Sequence, residues 1–207
     1  MPHIPNLILP YILIIFGVIG LLRARAARSD KKKRDDFFQK ESEANSVKKR
    51  DISTLPYIIP DEALLNLTSE DASINELLST LRSFKDKKIL NLTGISNTDL
   101  KLKYGTANIT ELGACDDNFA ELCKVLYALG KAYYDTGDIN TSKRFLEYAV
   151  GIRTDITDNY VLLANIYRDN NEENRIRDLI NIAGTLNSLS KQTIILKLND
   201  LVHTILV

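Results

Sequence analysis

The chain has 207 residues with 27 basic and 27 acidic side chains, a formal net charge of zero, and 44% hydrophobic residues. These proportions exclude wholesale disorder and a polytopic membrane protein, and two cysteines exclude a disulfide scaffold. The zero is a cancellation: residues 1–22 carry no Lys, Arg, Asp or Glu, residues 23–50 hold 11 basic and 5 acidic groups, and residues 51–207 hold 16 and 22.

In chain order, the first zone is apolar. From Ile4 to Leu22 there are 19 residues without a charge, which as a helix would rise about 28 Å, close to a hydrocarbon core. Pro5 suits a first helical turn, and Pro10 would kink the helix or mark its start. A cleaved secretory signal at Ala24-Arg25-Ala26 is the competing reading. It lacks the positive charge that such a signal carries ahead of its apolar core, where only the amino terminus and His3 stand. All the arginines follow the run, so the positive-inside rule predicts a retained single-pass anchor, N-terminus outside and C-terminal domain cytoplasmic. Richness in Ile, Asn and Lys points to an AT-rich genome and so to the inner membrane of a bacterium.

Residues 23–55 are predicted as a flexible basic linker. Arg23, Arg25, Arg28, Lys31, Lys32, Lys33 and Arg34 put seven cations into twelve residues. Beside a membrane such a cluster attracts anionic lipid headgroups at about 1 kcal/mol per cation. Nucleic acid is the other polyanion that cations bind, but no aromatic residues interleave to stack bases, and no nucleic-acid partner is expected.

Residues 56–117 begin with Pro56 and Pro60 flanking Tyr57-Ile58-Ile59, and Asp61 is placed to cap a short helical turn. Ser73-Ile74-Asn75-Glu76 matches a capping box. Behind it Ile74, Leu77, Leu78, Leu81 and Phe84 recur at helical spacing. From Lys85 to Cys115 that period fails. Leu100, Leu102 and Tyr104 alternate with lysines among Gly94, Asn97, Gly105 and Gly113, which predicts a hairpin or an ordered loop.

Residues 118–207 carry a repeat. Positions 34 apart match in size: Leu126 with Tyr160, Leu129 with Leu163, Gly130 with Ala164, Tyr133 with Tyr167, Gly137 with Asn171, Leu146 with Ile180 and Ala149 with Ala183. A fixed period of this length indicates stacked helical hairpins. Leu126, Leu129-Gly130, Tyr133, Gly137, Ser142, Leu146 and Ala149 follow the pattern of the tetratricopeptide repeat family, which residues 123–156 resemble strongly. Residues 157–190 resemble it less: Ile176 replaces the small residue. Neither copy ends in the family's proline. Ser188 or Ser190 can cap a last helix, whose stripe Ile194, Leu198, Leu201 and Ile205 would cover the final hairpin. The apolar end Ile205-Leu206-Val207 could alternatively bind a partner. The fold class is therefore mainly α: a transmembrane helix, then an α-solenoid of helical hairpins with a capping helix.

No catalytic, metal or cofactor motif occurs. Cys115 and Cys123 are too far apart for a Cys-x-x-Cys motif, and Asp116-Asp117 and Glu172-Glu173 read as acidic complements to helix N-termini. The chain is thus read as a non-enzyme without cofactor or metal. The family resemblance implies a groove, formed by the first helices of the hairpins, that binds a protein or peptide. Residues off the packing face there are Tyr127, Lys131 and Tyr134 in one copy and Val161, Asn165 and Arg168 in the next. The family's carboxylate clamp is absent, since Tyr127 and Leu162 stand where Lys and Asn would be needed. The reading is a membrane-anchored adaptor. Its alternative is a small-ligand sensor or enzyme with a pocket formed by residues 93–118 against the repeats.

Overall fold

The computed structural model describes residues 8–205. Among the described residues nine α-helices follow one another: α1 (Ile8–Ser46), α2 (Glu62–Leu65), α3 (Ala72–Arg82), α4 (Asn97–Tyr104), α5 (Ile109–Asp135), α6 (Ile139–Gly151), α7 (Thr157–Asp169), α8 (Glu173–Gly184) and α9 (Lys191–Ile205). Among the described residues there is no strand. The mainly α expectation agrees with this. The chain divides into two compact units, one of residues up to Arg50 with Asn97–Thr106, the other of Asp51–Ser96 with the residues from Ala107 onward.

In the first unit, the expected transmembrane helix is corrected. Among the described residues no helix is long and apolar enough to cross a membrane. The single-pass topology, with its outside N-terminus and cytoplasmic domain, is therefore not supported. Residues 4–7 of the expected span, with Pro5 and His3, lie outside the described residues. The 15 residues from Ile8 to Leu22 rise only about 22 Å, short of the roughly 30 Å of a hydrocarbon core. The same helix then runs unbroken through the cations to Ser46.

That continuity also corrects the flexible linker: residues 23–46 are helical. No Gly or Pro interrupts the chain between Leu22 and Pro56, and Ala, Arg, Lys, Glu and Gln, all good helix formers, dominate. The C-terminal part of α1 packs on α4, burying Ala44 and Leu100. Glu41 accepts hydrogen bonds from Lys101 Nζ and from Thr98 Oγ1, the latter at 2.7 Å. The Lys101 bond, then the Thr98 bond, hold the Glu41 carboxyl below the usual carboxylate range. Lys40 reaches Asp99 at 2.7 Å, and the Arg50 N–H donates to the Tyr104 carbonyl at 3.0 Å.

Helix α4 stands where a hairpin or an ordered loop was expected. Only Leu100 of its apolar residues is buried, so the two-residue alternation had no second sheet to face. Asp99 in the first turn and Lys101 and Lys103 in the last complement the helix dipole instead.

In the second unit, Asp61 caps α2, accepting from the Ala63 N–H at 2.8 Å. Helix α3 covers the predicted stretch, but its cap is Asp71, which accepts from the N–H groups of Ser73 at 2.8 Å and Ile74 at 3.3 Å. Ser73 is thus inside the helix, its hydroxyl turned back to Asp71 at 2.6 Å. Asp is the stronger acceptor and takes the cap two residues earlier than the capping box suggested. Ile74, Leu78, Leu81 and Phe84 then bury against α5, among Leu122, Leu126 and Leu129.

Helix α5 starts nine residues ahead of Asn118, where the helical period first clears. Asp116, Asp117 and Cys123, read as standing before or at a helix start, are therefore interior to it. Asp116 instead accepts the Leu92 N–H at 2.9 Å and pins the preceding loop. Burial pushes the Cys123 thiol up to about 12.

The 34-residue period is realised in three dimensions as two helical hairpins, α5 with α6 and α7 with α8. Helices α5 and α7 end 34 residues apart, at Asp135 and Asp169, and α6 and α8 begin 34 apart, at Ile139 and Glu173. Leu126, Tyr160, Leu129, Leu163, Ala149 and Ala183 are all fully buried. Gly137 and Asn171 both turn with positive φ, at 85° and 59°. Ser142 Oγ donates to the Gly130 carbonyl at 2.7 Å, tying the first hairpin together.

Between the hairpins, Tyr167 Oη donates to Glu147 Oε1 at 2.6 Å, and Arg175 Nη2 reaches the same oxygen at 2.8 Å. Helix α9 lays Ile194 and Leu198 into the core formed with α7 and α8, with Ile195, Leu201 and Val202 partly buried beside them. That is the covering role predicted for the last helix. The side chains of His203 and Ile205, and residues Leu206 and Val207, lie outside the described residues.

Candidate functional site

The site is built by repetition. Helices α5 and α7 are the first helices of successive hairpins and contact each other. In the repeat, Tyr127 corresponds to Val161, Lys131 to Asn165 and Tyr134 to Arg168. Spacings of three and four keep each trio on one face of its helix. Five of these six, Tyr127, Lys131, Tyr134, Val161 and Asn165, line one open cavity of about 250 Å³. Asp135, Asp158 and Leu162 complete its wall.

Tyr127, Tyr134 and Leu162 are half-buried and rest on the core of the second hairpin, so the floor of the groove is apolar and firmly supported. Burial raises the Tyr127 phenol pKa, which keeps the ring neutral and leaves its hydroxyl a donor. The rim is charged. Lys131 Nζ bonds Asp135 at 2.7 Å, and this contact raises the ammonium pKa. Asp158 has Lys197 at 3.8 Å. Arg168 is not part of the cavity lining; its guanidinium bonds the neighbouring Asp169 at 3.2 Å.

Asp158 and Asp135 were missed by the sequence reading, although helical spacing could have found them: Asp158 lies three residues before Val161 and Asp135 four after Lys131. Leu162 was noted only as a departure from the family's clamp, and it forms apolar floor.

A second, more polar cleft lies where three connections of the same unit meet: the loop around Thr93, the α6–α7 connection at Arg153–Asp155, and the α8–α9 connection at Thr185–Ser190. One cavity of about 250 Å³ is lined by Thr93, Arg153, Asp155, Thr185, Leu186 and Asn187 among others. It adjoins a wider one of about 660 Å³, reaching Lys191, with which it shares Thr93, Asp155, Leu186, Asn187 and Ser188. The alternative reading placed a pocket between residues 93–118 and the repeats. The run Asn97–Gly105 that was to shape it belongs instead to α4 and its end, in the first unit. From that segment, Thr93, Gly94 and Asp116 line cavities of the second unit.

The cations Arg23, Arg25, Arg28, Lys31, Lys32, Lys33 and Arg34 are all exposed along α1. Among the described residues, no three His, Cys, Asp or Glu side chains are grouped as a metal site requires. Compared with known proteins, the chain matches no family model, no curated protein and no solved structure.

Proposed function

We propose that the second unit is a tetratricopeptide-like binding module whose groove between α5 and α7 docks a short peptide segment of a partner protein, making the chain an adaptor. The observation that carries this reading is the meeting of Tyr127, Tyr134, Val161 and Leu162 from two helices in one open, core-supported groove. Half-buried tyrosines beside aliphatic residues are the composition of an interface centre, with charges at its rim. The rim holds the Lys131–Asp135 pair at 2.7 Å and Asp158, whose partner Lys197 stands off at 3.8 Å, which leaves Asp158 the carboxylate best placed to take a partner's cation. Its occupant is therefore a peptide that places an aliphatic side chain on the floor and a Lys or Arg beside it. No carboxylate clamp is present, so an internal segment suits the groove better than a free C-terminus.

The experiment is a peptide-display selection on the full chain, followed by affinity measurement of the selected sequences. Enrichment of aliphatic–basic motifs that Tyr134→Ala weakens supports the reading. Selected peptides that ignore this substitution refute it.

The seven cations of α1 suit a contact with anionic lipid headgroups, since only Asp30 interrupts them and all are exposed. Sedimentation with phosphatidylglycerol vesicles that fades as salt rises, and is missing with neutral vesicles, is the expected result. Equal sedimentation with both vesicle types would contradict it.

A further inference from the structure

The cleft between the three connections has a feature that packing alone does not explain. Arg153 holds φ at 67°. Its N–H donates to the Val150 carbonyl and the next N–H, of Thr154, reaches the Ala149 carbonyl, both at 3.0 Å. This pair of bonds is the Schellman motif that closes a helix, and glycine is the usual occupant of its left-handed position because a β-carbon is strained there. An arginine at that place costs stability that a glycine would not. Strain retained at one position motivates a search for what its side chain does.

The Arg153 guanidinium lines the cleft, where it donates to Thr185 Oγ1. Two residues on, Asp155 lines the same cleft and accepts the Ser188 hydroxyl on Oδ2 at 2.5 Å, while Oδ1 has no hydrogen bond among the described residues. Among the described residues' ion pairs, these two opposite charges are not paired with each other. Thr93, whose hydroxyl likewise has no hydrogen bond among the described residues, stands in both adjoining cavities. The frame around them is tied by side chains: Asn91 Nδ2 donates to the carbonyls of Ile152 at 3.4 Å and Arg153 at 3.3 Å, and Asn187 Nδ2 to that of Gly94 at 3.2 Å. The charges are thus held on a braced wall, each with spare hydrogen-bonding capacity.

We propose that this cleft binds a free α-amino acid, the Arg153 guanidinium taking the ligand's carboxylate and the Asp155 carboxylate its ammonium. A phosphate or dicarboxylate would satisfy Arg153 and be repelled by Asp155. A simple amine would do the reverse. A peptide terminus offers only one of the two charges. A small zwitterion meets both at once, with Thr93 and Asn187 as further polar contacts and Leu186 as an apolar wall. The wider adjoining cavity leaves room for the ligand's side chain. This site is separate from the peptide groove, shares no residue with it, and stands or falls independently of it.

The test is calorimetric titration and thermal melting of the full chain with each of the twenty amino acids at about 10 mM, since a ligand that binds only the native state raises Tm. For any that bind, the methyl ester and the corresponding 2-hydroxy acid are measured too. The expected result is one or a few binders, with ester and hydroxy acid at least tenfold weaker. Arg153→Gly should raise the Tm of the unliganded chain and weaken binding at least tenfold, which separates ligand recognition from a structural role. Asp155→Asn should weaken it similarly. No binder among the twenty, an ester that binds as well as its parent, or an Arg153→Gly chain with unchanged affinity would overturn the assignment.

Discussion

Gly130 on α5 lies so close to Leu146 on α6 that a β-carbon at position 130 would stand 2.6 Å from Leu146 Cδ2 and 2.7 Å from its Cγ. Leu146 is fully buried, so making way for that carbon would press its side chain into the surrounding core. Gly130→Ala should therefore destabilise the chain by about 1–3 kcal/mol, the usual cost of overpacking. The corresponding position of the second hairpin, Ala164, already carries a methyl group, and Ala164→Gly should open space rather than remove it. Denaturant melts of the two variants check this, and a Gly130→Ala chain as stable as wild type would contradict the close approach.

The turns of the two hairpins make a second comparison. Nothing lies within 4 Å of a β-carbon added at Gly137, so Gly137→Ala meets only the backbone cost of φ at 85°, about 1 kcal/mol. Asn171 tolerates the same conformation at 59°. Asn171→Gly should leave stability almost unchanged, while Asn171→Val, β-branched, should lose more than Gly137→Ala. Equal stability for the Gly and Val variants would refute a left-handed turn at 171.

Glu172 links the hairpins through Lys143, whose Nζ stands 2.8 Å from Oε1 and 3.0 Å from Oε2. The Lys143 bond is the main reason the Glu172 carboxyl titrates below its usual range. A lowered native pKa means the native state holds its proton less tightly than the unfolded chain. The stabilisation is therefore complete above the unfolded value, about 4.3, and is lost as pH falls through the native one. Wild type should exceed Glu172→Gln by no more than about 1 kcal/mol at pH 7, and the gap should close in acid. A gap that widens on acidification would reverse the sign.

Both cysteines are free and buried. Burial raises the pKa of each thiol, that of Cys123 to about 12. Since the thiolate is the reactive form, neither should react appreciably with a maleimide at pH 7.5 in the native chain, and both should react at once in denaturant. Rapid native labelling of Cys123 would place it outside the core.

Much of this was legible in the sequence wherever local pattern and tertiary packing agree. The pairing of Leu126 with Tyr160 and of Gly137 with Asn171 is visible as a period, and it is also what the hairpins bury or turn upon. The groove residues came from the family resemblance laid on that period, and five of the six line one cavity. The reading failed where alternation had no partner surface, as at Leu100, Leu102 and Tyr104, and where a stretch without Gly or Pro simply stayed helical, as from Arg23 to Ser46. It also treated the apolar run as a span, although Ile8–Leu22 is too short for one within the described helix. The polar cleft was invisible because Thr93, Arg153 and Asp155 sit on connections. Only the folded chain brings them together, and the strain at Arg153 has no signature in composition or period.

The central claim is that α5 and α7 together form a docking groove for an aliphatic–basic peptide. The most direct test is the Kd of one selected peptide for wild type and for Val161→Arg, with Arg177→Ala, exposed on α8, as the control. A charge on the floor should weaken binding at least tenfold, about 1.4 kcal/mol or more, while the control and the thermal stability stay unchanged. Equal affinity of the Val161→Arg chain for the peptide would show that the partner docks elsewhere.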